Sequence, residues 1–209
     1  MKKLSAEFVG TFALVFVGAG AAALGAVDVV GVALAHGLIL MAVVYAFGNL
    51  SGAHVNPAVT FGLLLRSEIE LLKAVTYWVA QLLGGAVAGF GLLFVLGGPT
   101  NDLGATLLAE GVNPLQGLVL EAILTFFLVT SVLRSAVRGE AGNAAGAAIG
   151  LTLAASILIG GPLTGGSLNP ARTIGPALAA TQFADLWVYF VGPLMGGAVA
   201  ALLDRWLGA

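Results

Sequence analysis

The residues able to do chemistry in this sequence come in pairs. Asn56-Pro57-Ala58 recurs as Asn169-Pro170-Ala171, and Glu7-x-x-x-Thr11-Phe12 recurs as Glu121-x-x-x-Thr125-Phe126. Asn is a strong helix N-cap and Pro suits the first helical position, so each triplet is expected to open a helix. The apolar runs that follow, Ala58 to Leu65 and Ala171 to Ala180, are short. About ten residues rise only about 15 Å, half a bilayer. Before each triplet stands a polar, Gly-containing loop: Ser51-Gly52-Ala53-His54-Val55 and Thr164-Gly165-Gly166-Ser167-Leu168. These are read as re-entrant loops entering from opposite faces. Non-helical backbone at membrane depth is tolerated where it lines a watery cavity or is buried in protein, so the loops predict a pore.

That pore would select rather than react. Two half-helices meeting N-terminus to N-terminus bring together two positive dipole ends, each about half a charge. Each Asn can cap its own helix and offer its NH₂ to the lumen. The backbone carbonyls of Gly52, Ala53, His54 and Val55, and of Gly165, Gly166, Ser167 and Leu168, would supply a line of acceptors. Donors at the centre and acceptors on either side orient a small hydrogen-bonding solute, and the central positive potential repels protons and cations. His54 is expected to orient its own loop. Catalysis has little support: no Ser–His or His–carboxylate set is suitably spaced, and no metal-ligand cluster is visible. An intramembrane enzyme is therefore set aside, and no cofactor or metal is expected.

The elements that must position these residues follow from composition. Of 209 residues 59% are apolar and 9% charged, the formal net charge is −2, and Cys is absent; the mean hydropathy is +1.06. A soluble domain carries about 25% charged residues. So little charge cannot cover a water-facing surface, and no Lys/Arg run suits nucleic acid. The chain is an all-α membrane protein with the lipid bilayer as its solvent. Six stretches satisfy the need for about 20 apolar residues: about 4–25, 31–50, 73–96, 115–135, 144–161 and 185–206. The first is too long for a signal peptide and contains Glu7, so it is read as a retained helix. Lys2, Lys3, Arg66, Lys73, Arg134, Arg138 and Arg205 all fall on one side of a six-span chain. The positive-inside rule then makes both termini cytoplasmic. Arg172 alone breaks the pattern.

The paired motifs form an inverted repeat. The two Asn-Pro-Ala triplets are 113 positions apart, the two Glu motifs 114, and Gly84-Gly85-Ala86-Val87-Ala88 returns 112 later as Gly196-Gly197-Ala198-Val199-Ala200. Three spans per half put the second half in upside down. The organisation expected is one channel domain over 1–209, with repeat 1 at about 1–100, a Gly/Pro/Asn-rich linker at about 97–114 and repeat 2 at about 115–209. Gly85-x-x-x-Gly89, Gly192-x-x-x-Gly196 and Gly142-x-x-x-Gly146-x-x-x-Gly150 suggest close helix packing.

On these residues the whole chain resembles the aquaporin (major intrinsic protein) family. The carriers are Ser51 through Thr60, Gly166 through Arg172, and the Glu7 and Glu121 pair. The resemblance implies a right-handed bundle of six transmembrane helices plus two half-helices, a homotetramer with a pore in each subunit, and passive flow. It implies that Glu7 and Glu121 are buried acids holding the loop backbones, in keeping with the rarity of idle intramembrane acids. It also assigns the family's narrow filter to His36, Ile157, Gly166 and Arg172.

This filter resembles that of a subgroup of plant tonoplast intrinsic proteins, which pass water and ammonia. Glycerol facilitators resemble Trp, Gly, Phe, Arg at the same places, and strict water channels Phe, His, a small residue, Arg. Here Gly166 removes a side chain, His36 supplies a polar edge, Ile157 an apolar wall and Arg172 a fixed positive charge that excludes cations. Thr173, Ala177 and the Tyr189-Phe190 pair also depart from the glycerol type. Unlike the plant ammonia-permeable proteins, residues 97–114 contain no His. The expected function is a channel for water and ammonia that excludes ions. Alternatives are a broader channel for glycerol, urea and hydrogen peroxide, or an inverted-repeat secondary transporter. Short tails and compact loops suggest a prokaryotic inner membrane.

Overall fold

The computed structural model describes residues 1–208, so Ala209, the last residue of the expected second repeat, lies outside the described residues. Eight α-helices follow one another: α1 (Lys2–Leu24), α2 (Val29–Ser51), α3 (Pro57–Leu65), α4 (Leu71–Leu96), α5 (Pro114–Ser131), α6 (Ala145–Thr164), α7 (Pro170–Ala180) and α8 (Val188–Leu207). Six have the length and apolarity to cross a membrane, and α3 and α7 are the two short ones.

The halves pack by the same rule. Helix α1 lies against α2 and α4 as α5 lies against α6 and α8; α4 lies against α7 as α8 lies against α3. Each half therefore grips the other's short helix. The repeated Gly-Gly pair explains how. A Cβ added at Gly84 would lie 2.4 Å from the Phe8 carbonyl on α1, and one at Gly196 would lie 2.2 Å from the Ala122 carbonyl on α5. At Gly85 it would meet the Ala171 carbonyl on α7 at 2.2 Å, and at Gly197 the Ala58 carbonyl on α3 at 2.7 Å. The first glycine of each pair thus seats a neighbour in its own half, and the second seats the other half's short helix. Such backbone approach favours small residues in membranes. Gly142 makes no such contact: it has open space around it, with φ +50°, ahead of α6.

Three boundaries differ from the sequence expectation. Helix α6 runs through Pro162 to Thr164, because Thr164 Oγ bonds both Glu121 and the Gly160 carbonyl and so holds the last turn together. Beyond α5 the chain widens into a π-helical turn over Val132–Val137. Helix α8 begins at Val188, after a turn in which Asp185 has φ 48°.

The basic residues gather at one end. Asp204, 3% exposed, takes Arg66 Nε at 2.7 Å and Arg138 Nη2 at 2.9 Å, and Arg134 Nη1 stands 3.6 Å away. Arg134 also pairs with Glu140. The carboxylate on α8 thereby ties the C-terminus of α3 to the segment after α5. Hydrogen bonds to charged groups contribute about 1.5–3 kcal/mol, so Asp204→Asn should lower the thermal midpoint of the solubilised protein by several degrees. An unchanged midpoint would show that solvent satisfies these arginines equally well.

Candidate functional site

Each re-entrant loop grows directly from a helix end. Helix α2 ends at Ser51 with Gly52 at φ 95°, and α6 ends at Thr164 with Gly165 at φ 79°. Positive φ continues at Ala53 (47°) and Val55 (43°) in the first loop and at Gly166 (58°) and Leu168 (55°) in the second. For non-glycine residues such backbone costs about 1–3 kcal/mol each and persists only when its surroundings over-determine it.

A buried carboxylate does so in each half. Glu7 Oε1 accepts the Ser51 hydroxyl at 2.6 Å and the His54 N–H at 3.0 Å. Its Oε2 accepts the Val55 N–H at 2.7 Å and Gln81 Nε2 at 2.8 Å. Glu121 Oε1 accepts the Thr164 hydroxyl at 2.7 Å and the Ser167 N–H at 2.9 Å, while Oε2 accepts the Leu168 N–H at 2.7 Å. Both acids are fully buried. Tyrosines close the pattern: Tyr77 donates to the Ser51 carbonyl at 2.7 Å and Tyr189 to the Thr164 carbonyl at 2.8 Å.

The two Asn side chains meet across the halves. Asn56 Oδ1 caps α3 by accepting the Ala58 N–H at 2.8 Å, and Asn169 Oδ1 caps α7 by accepting the Ala171 N–H at 2.9 Å. Asn56 Nδ2 donates to the Leu168 carbonyl at 2.8 Å, and Asn169 Nδ2 to the Val55 carbonyl at 2.9 Å. One amide hydrogen of each Asn is thus spent on the opposite loop and one is left. Pro57 and Pro170 occupy the first helical positions, with Ala58 and Ala171 buried behind them.

A cavity of ≈ 520 Å³ runs from His36 and Arg172 past both Asn residues to Gly139 and Asn143. Its wall is mostly aliphatic, with Leu14, Leu40, Val59, Leu128 and Ile149 among the lining. Gly52, Ala53, His54, Val55 and Ser167 also face it. Gly165, Gly166, Leu168 and Ile157 are not among its lining residues. The linker folds over Gly165, where a Cβ would lie 2.8 Å from Thr106 Cα, while Gly166 packs on α6, where a Cβ would lie 3.2 Å from Gly161 N. Ile157, 1% exposed, stands behind Gly166, its Cγ1 3.3 Å from where a Cβ at 166 would be. His54 turns its ring back into the loop, with Nδ1 3.1 Å from Thr60 Oγ1 and an edge toward Tyr77.

Arg172 is 2% exposed and donates from Nη1 to the Gly104 carbonyl at 2.7 Å. A backbone carbonyl of the linker therefore holds the guanidinium in the absence of a loop His. Gly104 closes a left-handed turn in which Asn101, Asp102 and Leu103 have φ 44°, 50° and 53°. Thr106 and Ser167 hydroxyls lie 2.8 and 2.6 Å from Thr173 Oγ1, joining linker, loop and α7.

Several of these groups escaped the sequence reading. The repeat offset could have found some: Ser51 and Thr164 are 113 apart, and Tyr77 and Tyr189 are 112 apart. Gln81 has Pro193 at the matching offset, and Gly104 acts through its backbone, so neither left such a signal.

A six-span helical bundle in which two half-helices meet head to head around a cavity defines the class: an integral multi-pass membrane channel, not an enzyme. The family model described as major intrinsic protein matches residues 1–204. The chain is 44% identical to "Aquaporin TIP2-1" of Arabidopsis thaliana, over 95% of this chain and 84% of that protein. It is 43% identical to "Aquaporin TIP2-3" of Zea mays, over 97% and 86% respectively. The X-ray structure of the aquaglyceroporin from Plasmodium falciparum is similar to it with a TM-score of 0.89 at 26% identity, covering 99% of this chain and 96% of that one. The chain belongs to the major intrinsic protein family. The relatives named here by sequence are plant proteins, which lends no support to the expected prokaryotic inner membrane.

Proposed function

We propose that the protein is a passive channel for water and ammonia that excludes protons and other ions. The observation that carries this reading is the head-to-head arrangement of α3 and α7 on one cavity, with Asn56, Asn169, Arg172 and His36 all lining it. Two helix N-termini and a buried guanidinium place positive charge along the path and discourage cations. The remaining Asn N–H groups and the Gly52–Val55 carbonyls give a solute donors and acceptors in sequence. The wall between them is mostly aliphatic. Asn56, Pro57, Ala58, Asn169, Pro170 and Ala171 form the central constriction in this reading. His36, Ile157, Gly166 and Arg172 form the filter, with Ile157 acting from behind Gly166.

The chain functions as one domain whose halves, about 1–100 and 115–209, complete each other. Both termini face the cytoplasm, as the cluster of Arg66, Arg134, Arg138 and Arg205 supports. It assembles as a homotetramer, in which neighbouring copies and lipid share exposed apolar side chains such as Leu38, Phe90, Phe127 and Leu151.

Stopped-flow on proteoliposomes tests the function. Osmotic water flux well above the bare-lipid rate, with fast ammonia-driven internal alkalinisation and slow glycerol uptake, is the expected result. Ammonia at the bare-lipid rate would leave a water channel. Fast glycerol would favour the broader channel to which the aquaglyceroporin fold likeness also points, and saturable or proton-coupled flux would favour a transporter.

A further inference from the structure

We propose that Gly18 on α1 sets the aperture of the filter by giving the His36 ring a niche to lie in. The inference rests on the channel reading and assigns a width-determining role to a residue outside the filter. Gly18 is buried in α1. A Cβ there would lie 2.3 Å from His36 Cδ2, 2.4 Å from Nε2 and 2.7 Å from Cγ, and these ring atoms are its three nearest neighbours. The ring therefore lies with its face against the α1 backbone, in space that a side chain at 18 would fill.

One hydrogen bond fixes this posture. Nδ1 lies 2.9 Å from the Val32 carbonyl one turn back on α2, to which it donates. Nε2 is buried with no hydrogen-bond partner in the protein. The ring is only 2% exposed although His36 lines the cavity with Arg172. Its packing on Gly18 makes it part of the wall.

Helix α2 cannot simply retreat to relieve a new methyl group at 18. On its far side a Cβ at Gly37 would lie 2.6 Å from the Gly150 carbonyl of α6, so the two backbones are already in contact. The softest response is rotation of the ring away from α1. Its open side is the cavity. A single methyl group on α1, at a residue outside the filter, would thus push imidazole into the path.

The test is a pair of substitutions read as water flux per channel, with channels counted by fluorescence correlation. Gly18→Ala should reduce flux per channel by about threefold or more, because permeation follows the narrowest diameter. In a His36→Ala background the same Gly18→Ala change should have no effect. Equal loss in both backgrounds would mean a general packing defect and overturn the proposal, as would wild-type flux in Gly18→Ala. If Gly18→Ala fails to fold while the double variant folds, ring and niche are shown to be complementary and the proposal stands; failure of both overturns it. A wild-type protein at the bare-lipid rate would instead overturn the channel reading itself.

Discussion

Glu7→Ala is expected to abolish water flux at equal protein load and to reduce the yield of folded protein sharply. The carboxylate is fully buried and receives four donors. Ser51 and Gln81 side chains can turn toward other partners, but the His54 and Val55 N–H groups cannot. Each buried donor left without an acceptor costs about 1–3 kcal/mol. The two together cost about 2–6 kcal/mol, before counting the cavity left by the missing side chain. That loss falls on a loop already holding Ala53 and Val55 at positive φ. Glu121→Ala should behave alike through the Ser167 and Leu168 N–H groups. The Gln variants refine the argument. A carboxamide has one oxygen, so in either orientation it leaves one backbone N–H facing an NH₂. Glu7→Gln and Glu121→Gln should therefore be intermediate. Thermal unfolding and stopped-flow flux on the same preparations check this, and wild-type behaviour of the Ala variants would remove the carboxylates from the loop-supporting role.

Arg172→Val is expected to raise proton or cation leak at least tenfold while leaving water flux near its original rate. At an effective dielectric of about 20, a like charge 4 Å away costs about 4 kcal/mol. Removing the guanidinium takes that barrier away from any passing cation, and every 1.36 kcal/mol is about tenfold in rate. The two helix N-termini remain, so exclusion should weaken and not vanish. The change also releases the Gly104 carbonyl, which then has an acceptor to offer a solute. Measuring pH-gradient decay in proteoliposomes beside osmotic flux separates the two properties. Unchanged leak would mean that the helix termini alone exclude ions. Collapse of water flux would mean that Arg172 mainly anchors the linker.

Much of this site is legible because it is repeated. Asn-Pro signals a capped helix start by local chemistry alone, and a second copy 113 positions later turns a weak signal into an architecture. The short apolar runs after each triplet announce half-spans by length. Glu7 and Glu121 declare themselves because a carboxylate inside a span must be paired. The same logic would have reached Ser51 with Thr164 and Tyr77 with Tyr189, whose offsets match the repeat.

Other features needed the fold. Residues 97–114 look like a spacer, yet they bury Leu103, cover Gly165 and hold Arg172. Gly142 fits a small-residue spacing with Gly146 and Gly150 but has no helix against it. Gly166 packs against Ile157 of α6, a contact that residue type alone did not announce.

The sequence by itself determined that the chain spans a membrane six times, inserts two half-helices and repeats upside down. Those properties depend on residue type, length and period, which are local. Only the tertiary structure decided which carbonyl grips Arg172, which loop each Asn amide reaches, and where the His36 ring rests. The Gly104, Leu168 and Val55 carbonyls and the bare backbone at Gly18 are main-chain features that residue type does not announce. What they meet is set by helices distant in sequence closing to backbone contact.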